Sequence, residues 1–377
     1  VYASMFGGIP TAEIEELGEF WTAFPALKKA LFTESGIPYV NVSVDDIKSA
    51  IKSHPDVVGF EDAFNAAFST FPAFLKEELI DRMESIEISK AETVLSADIF
   101  ERLKDIPLID KYAAFQLLDD DWTGISIDLE VLQTEGFSAT KEVDPNLVIK
   151  KKDGKDQEVQ EGWVGHIIPF DLVQATLLSA ETDELHGLES RLAEIPSEYE
   201  SILDEMTEED KESCNDVLTE EGDAFVPKEV SKKIKELKKD RSPESVALRT
   251  LLEKVESLVK SEKEIKAEIK AKSAALQAKT KDTIESLSDE QALDLLEKKW
   301  IAPLIESIHK LPDTVIDSLV SKIQALQNKY ATTFFEVEQQ ISETEATLSG
   351  MIDDLEGNEY DMLGLNELKK LLGGSAE

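Results

Sequence analysis

The first 122 residues combine helix-like apolar patterns with frequent proline and glycine turns. Ile14, Leu17, Trp21 and Phe24 lie three or four positions apart, so that they share one face of a helix. Phenylalanines recur at the same spacing over residues 60–71, where a core stripe explains them better than an aromatic ligand-binding box. We therefore predict a compact helical module over residues 1–122.

Residues 123–168 carry strand patterns. Apolar and polar residues alternate from Ile125 to Leu129, as they do in a half-buried strand. Residues 147–149 and 157–159 flank Asp153-Gly154, a dipeptide that favours the type I′ turn of a hairpin. The pattern predicts a small β insertion over residues 123–168.

From residue 169 to residue 377 the apolar period becomes seven, in three seams. An acidic segment at 204–223 follows the first seam and is either a loop or the end of a helical hairpin. Seams of this kind are typical of long helices that pack lengthwise. The first seam is Leu185, Leu188, Leu192, Ile195, Tyr199 and Ile202, the second is Leu248, Leu251, Val255, Leu258, Ile265, Ile269 and Leu276, and the third is Leu319, Ile323, Leu326, Tyr330, Phe334, Val337, Ile341 and Leu348.

These patterns predict a mainly α fold. A helical module with a small β-hairpin insertion is followed by long antiparallel helices that resemble a coiled coil. The pattern leaves open whether the heptad helices pack within the chain or against a partner, because both arrangements use the same seam.

Charge narrows the classes of function. The 377 residues carry a formal charge of -39, which disfavours a broad, non-specific grip on nucleic acid. Between Lys228 and Lys281, however, 16 Lys and Arg residues stand against 9 Asp and Glu residues, a local balance of +7. The chain therefore contains one basic island within an acidic whole.

The compartment is predicted from cysteine use and hydropathy. A single cysteine, Cys214, allows no intrachain disulfide, so we expect a reducing cytoplasm. No apolar run approaches the ~18 residues of a membrane span. The chain opens at Val1 in an apolar run, which is typical of a cut inside a larger protein or of a trimmed terminus.

The sequence shows no familiar motif for catalysis or for metal binding. An adenine methyltransferase needs a glycine-rich turn and an Asn/Asp-Pro-Pro-aromatic corner, and residues 144–147 (Asp-Pro-Asn-Leu) are the nearest approach. The four histidines show no metal-ligand spacing. We therefore predict that this chain by itself is not an enzyme and holds no metal or cofactor.

Several segments, taken in order, resemble one family. They are residues 6–10 (Phe-Gly-Gly-Ile-Pro) with 14–21, His54-Pro55, 107–112 (Pro-Leu-Ile-Asp-Lys-Tyr), Phe115-Gln116, Asp121-Trp122, 163–169 with Leu172-Val173, Lys299-Trp300-Ile301, and 327–333. This ordered set is similar to the distal region of the DNA methyltransferase (M) subunits of type I restriction-modification systems. The resemblance extends over roughly residues 1–355.

The resemblance implies a non-catalytic assembly region. In that family the C-terminal helices of M subunits pack on helices of a specificity subunit, within a complex that also holds a second M subunit and a restriction subunit. It also implies that S-adenosylmethionine and adenine-N6 methylation belong to a catalytic domain outside this chain. On this basis the third seam (Leu319, Ile323, Leu326, Tyr330, Phe334, Val337 and Ile341) is expected to contact the specificity subunit.

The basic island has two interpretations. Its side chains approach the DNA backbone held by the complex, or they form a solvated helical face with i,i+4 ion pairs such as Glu262–Lys266. The residues concerned are Lys232, Lys233, Lys235, Lys238, Lys239 and Arg241. Two other classes of function stay open for the whole chain, a coiled-coil scaffold unrelated to restriction and an acidic DNA mimic.

Overall fold

The computed structural model describes residues 8–33, 39–152, 155–219, 221–240, 242–332, 334–353, 355 and 359–371. The predicted mainly α fold is confirmed, since in these described residues long helices dominate and the strands form two small antiparallel pairs. The helices are α1 Thr11–Glu15, α2 Gly18–Ala23, α3 Leu27–Leu31, α4 Ile47–Lys52, α5 Pro55–Phe68, α6 Phe71–Leu75, α7 Ile88–Leu103, α8 Lys111–Glu135, α9 Phe170–Leu177, α10 Ser179–Glu205, α11 Glu208–Ser213, α12 Pro227–Leu237, α13 Pro243–Glu285, α14 Asp289–Trp300, α15 Ala302–His309, α16 Leu311–Lys329, α17 Phe334–Asp353 and α18 Glu359–Leu371. The strands are β1 Ile9–Pro10, β2 Tyr39–Val40, β3 Val143–Lys152 and β4 Lys155–Gly165, and short π-helical and 3-10 segments cover Lys76–Asp81 and Phe137–Lys141.

Contacts divide the chain into two compact units. The first consists of Val1–Asp81, Ile86–Gly124 and Ile301–Glu377, and the second of Arg82–Ser85 and Ile125–Trp300. Our linear division at residues 122 and 168 follows the order of patterns along the chain. It differs from the division by contacts, which groups residues 301–377 with the N-terminal helices because the chain returns to them after α14.

The first unit is built around an apolar core that joins the N-terminal helices and α16. Phe24 and Leu27 from the N-terminal helices and Ile316 and Leu319 from α16 are fully buried in one cluster. Helix α5 begins at Pro55 directly after His54, whose side chain caps the helix by accepting a hydrogen bond from the backbone N–H of Asp56 at 3.2 Å. Pro at the first helical position completes this start signal.

In the second unit the first two heptad seams pack on each other. Polar contacts pair Glu205 with Lys254 at 3.1 Å near one end of the pair and Glu184 with Lys272 at 2.5 Å near the other, so α10 and α13 are antiparallel. Exposed ion pairs contribute little to stability, so their main effect here is to fix the register of the two helices. The buried seam residues, Ile195 and Val255 among them, supply the stability. For these two seams the packing is within the chain.

The acidic segment lies at the tip of this helical pair. Its helix α11 starts with a capping box, in which the side chains of Thr207 and Asp210 each bond the other's backbone N–H. The tip has its own apolar cluster, in which Cys214, Val217 and Val230 are fully buried. Of the two interpretations left open for 204–223, the structure supports the end of a helical hairpin.

Strands β3 and β4 form the predicted hairpin, with Val148 opposite Val159 and Ile149 opposite Glu158. Its base packs against α13. The turn expected at Asp153-Gly154 lies outside the described residues. An ideal Cβ on Gly165, the last residue of β4, would overlap the backbone carbonyl oxygen of Ile168, so that only glycine fits this close approach.

The strand predicted from Ile125 to Leu129 is wrong, because these residues lie inside α8. The buried apolar residues of this helix are Ala114, Leu118, Trp122, Ile125, Leu129 and Leu132, which follow a three-or-four spacing. Ile127, the residue that would distinguish a strand, is 57% exposed. A five-residue window shares its i and i+4 positions between both patterns, and the longer helical period decides the structure.

Candidate interaction surfaces

The predicted partner seam falls on two helices. Helix α16 ends at Lys329, Tyr330 has a non-helical backbone, and α17 begins at Phe334. A single seam from Leu319 to Ile341 is therefore wrong. Leu319 and Ile323 are fully buried in the core of the first unit, and Leu326 and Tyr330 pack against that core. All four side chains contribute to this core, and the burial of Leu319 and Ile323 closes them to a partner, whereas Leu326 and Tyr330 are partly exposed.

Polar contacts hold the end of α16 on the N-terminal helix α1. The Lys329 ammonium lies 2.9 Å from both carboxylate oxygens of Glu13, and the Tyr330 hydroxyl donates a hydrogen bond to the same carboxylate. These bonds, that of Tyr330 first, lower the pKa of Glu13. The Lys-Tyr pair of the family-like segment thus has a structural role inside this chain.

The second half of the seam is exposed on α17. Val337 and Ile341 are 41% and 53% exposed, and Leu348 and Met351 on the same side are 42% and 62% exposed. We call these four residues the apolar stripe. The side chain of Phe334 lies outside the described residues. Helix α18 also presents large exposed apolar side chains, the most exposed being Tyr360 at 84%.

The charge on α17 has one sign. Residues 334–353 contain five carboxylates, Glu336, Glu338, Glu343, Glu345 and Asp353, and neither lysine nor arginine. On its own helix the apolar stripe is therefore flanked by charged residues of negative sign only. A partner that covers the stripe gains most if basic residues flank its own apolar positions.

The lysines of the basic island divide into two groups. Lys232 pairs with Glu229 at 2.8 Å, and Lys233 binds both Asp216 and a backbone carbonyl. Lys235, Lys238 and Lys239 are exposed, while Arg241 lies outside the described residues. The ion pair expected between Glu262 and Lys266 is present at 2.5 Å. Lys232 and Lys233 thus fit the interpretation as a helical face with ion pairs, and the exposed lysines fit an approach to the DNA backbone. The approach to DNA stays a prediction.

A buried polar cluster joins α8, α14 and the chain after β4 in the second unit. The Asp128 carboxylate accepts a hydrogen bond from the indole N–H of Trp300 at 2.7 Å and from the Lys299 ammonium at 2.5 Å. Lys299 also donates to the carbonyl oxygen of Ile167 at 2.7 Å. Trp300 is 1% exposed, so this bond satisfies an indole that water does not reach. Sequence reasoning missed Asp128, since the strand interpretation gave it no partner.

His166 and His309 both contact side chains of the fold. His166 bridges two carboxylates, with Nδ1 2.7 Å from Asp144 and Nε2 3.1 Å from Glu135. The hydrogen bond that the His166 ring donates to the Asp144 carboxylate is the first cause that raises the pKa of His166. His309 ends α15 and makes a T-shaped contact with the Phe64 ring. Among the described residues, no group of three His, Cys, Asp or Glu side chains is placed to hold a metal ion.

In the described part of the chain, every helix is too short or too polar to cross a membrane.

Comparison with known proteins identifies no relative of this chain. No protein-family model matches the chain, and neither does any curated protein or solved structure.

Proposed function

We propose that this chain is the non-catalytic C-terminal assembly region of a type I restriction-modification DNA methyltransferase subunit. The observation that carries the proposal is the apolar stripe on α17. Solvent-exposed apolar residues that recur along one helix face, rimmed by charge, mark sites of protein association. The stripe contains Val337 and Ile341, two of the residues that the family resemblance assigns to the contact with the specificity subunit.

The proposed partner surface is a helix with a complementary apolar seam. Such a seam covers the stripe by side-chain packing, and its flanking residues are expected to be lysine or arginine because α17 carries only carboxylates. Pairing of two α17 helices from two copies of this chain is disfavoured, since it would bring their carboxylates together. The paired helices of the specificity subunit are therefore the partner that we propose.

The other components enter through the assembled complex. A second M subunit and the restriction subunit complete it, and DNA contacts the chain mainly through that complex, with Lys235, Lys238 and Lys239 as the side chains nearest to its backbone. Binding of S-adenosylmethionine and methyl transfer belong to the catalytic domain of the parent subunit. We expect the assembly to work in the cytoplasm.

Co-expression with the specificity subunit of the same system tests the proposal. A truncation after Thr332 removes the apolar stripe and leaves α16 in the core of the first unit. We expect this truncated chain to fold, as judged by circular dichroism, and to lose co-purification with the specificity subunit. A truncation before Asp317 is unsuitable because it removes Leu319 and Ile323 from that core. Full retention of the specificity subunit after truncation at Thr332 contradicts the proposal and favours a scaffold of another kind.

A further inference from the structure

A cavity of about 300 Å³ lies beside the tip of the α10–α13 pair. Its lining comes from α10, from α13 and from the chain just before α12. The volume is at the lower end of the ~300–1,000 Å³ typical of ligand pockets, so it suits one side chain better than a nucleotide.

Two aromatic rings form part of the wall. The ring centroids of Tyr199 and Phe225 are 6.2 Å apart, with an angle of 52° between the ring planes. A β-bridge between Leu218 and Phe225 fixes the backbone that carries the second ring. The Tyr199 hydroxyl donates to Glu262 at 3.1 Å, and burial together with this bond raises the pKa of Tyr199 to about 12. Tyr199 therefore stays a neutral phenol whose ring is held in place.

All the charged side chains that line the cavity are carboxylates. They belong to Glu200, Asp223 and Glu262, and no lysine or arginine of the described chain lines it. Glu262 already pairs with Lys266 at 2.5 Å. The exposed Glu200 has no cationic partner among the described residues, so negative charge is left over beside the two rings. Aromatic faces and carboxylates attract the same kind of ligand, an organic cation.

We propose that this cavity binds the guanidinium group of an arginine side chain presented by a partner protein. A planar guanidinium stacks on an aromatic ring and directs its N–H donors to carboxylates, whereas a compact ammonium stacks less well. Pro196 and Pro227 supply rigid apolar walls for the alkyl stem. The site lies in the second unit, so its occupation does not depend on the α17 contact in the first.

A titration of the full chain with N-acetyl-arginine amide tests this assignment. Methyl groups of Ala224 and Val259 line the cavity and report binding by NMR. We expect these methyl signals to shift and saturate, while the signal of Val94, outside the cavity, stays unchanged. N-acetyl-citrulline amide has the same shape without the charge, and it is expected to bind about tenfold more weakly. Equal affinity for the two compounds, or the absence of saturable shifts at Ala224 and Val259, overturns the proposal.

Two variants separate the aromatic and acidic contributions. Phe225→Leu keeps apolar volume and removes the ring, and is expected to weaken arginine binding about fivefold. Glu200→Gln changes an exposed side chain, so folding is preserved, and is expected to weaken binding about threefold. Glu189→Gln removes the same charge from an exposed position of α10 outside the cavity and serves as the control. If Glu200→Gln and Glu189→Gln bind the arginine compound equally well, the assignment is wrong.

Discussion

Loss of the Asp128 carboxylate is expected to destabilise the second unit strongly. Two donors converge on this side chain, the Trp300 indole at 2.7 Å and the Lys299 ammonium at 2.5 Å, and the side chain is 11% exposed. In Asp128→Ala the indole N–H loses its acceptor in a place closed to water, which costs about 1–3 kcal/mol. The partly buried ammonium loses its counter-charge, although the carbonyl oxygen of Ile167 still accepts from it. We expect a total loss of about 3 kcal/mol in the free energy of unfolding, close to the ~3–5 kcal/mol of a broken buried ion pair.

The conservative variant Asp128→Asn divides this loss. Its amide oxygen still accepts from Trp300, but it carries no charge for Lys299, so we expect a loss of about 1–2 kcal/mol. Urea denaturation followed by far-ultraviolet circular dichroism measures both values. Glu130→Gln, an exposed change on the same helix, is the control and should stay within about 0.5 kcal/mol of the wild type. If Asp128→Ala also stays within this range, the polar cluster does not stabilise the unit and the reasoning is refuted.

Three further changes test separate parts of the fold. Because the pKa of His166 is raised in the folded protein, its stabilising effect is fully present below the unfolded pKa of ~6.5 and is lost as the pH rises through the folded pKa. In urea denaturation, His166→Asn should therefore lower the free energy of unfolding by about 0.5–1 kcal/mol more at pH 5.5 than at pH 9. A difference between variant and wild type that is the same at both pH values would refute the bridge. Gly165→Ala should lower the melting temperature through backbone overlap, whereas Gly124→Ala, in open space on α8, should stabilise by up to about 1 kcal/mol; a neutral Gly165→Ala would contradict the close approach. Leu319→Ala should cost about 2–5 kcal/mol and Ile341→Ala under about 0.5 kcal/mol, and equal costs would contradict the division of the seam.

The apolar periodicity predicted the secondary-structure elements better than it predicted which elements pack together. The seams over residues 185–202 and 248–276 are long enough to establish the helical period, and both are confirmed as helices of one antiparallel pair. The hairpin was predictable because the runs at residues 147–149 and 157–159 flank a turn dipeptide, Asp153-Gly154. A short window over residues 125–129 was ambiguous, because a strand and a helix share the i and i+4 positions.

Packing between segments that are far apart in the sequence could not be predicted from the apolar spacing. Leu319 and Leu326 have the spacing of a coiled-coil seam, and nothing in that spacing distinguishes a core within the chain from a partner. The choice comes from the N-terminal helices, whose buried faces include Phe20 and Phe24 and which meet α16 in one cluster. Likewise, Asp128 becomes a core residue only because Lys299 and Trp300 return to it after more than 170 residues of chain.

The apolar stripe on α17 is the center of the functional proposal, and one pair of variants tests it directly. Ile341→Glu places a carboxylate in the stripe, and Ile127→Glu makes the same change at an equally exposed helix position, with exposures of 53% and 57%. Burial of one isoleucine contributes about 1.5–3 kcal/mol, so the dissociation constant for the specificity subunit should rise about tenfold to a hundredfold in Ile341→Glu. Calorimetric titration should find Ile127→Glu unchanged. Equal affinities for the two variants would contradict the proposal that this stripe contacts the specificity subunit.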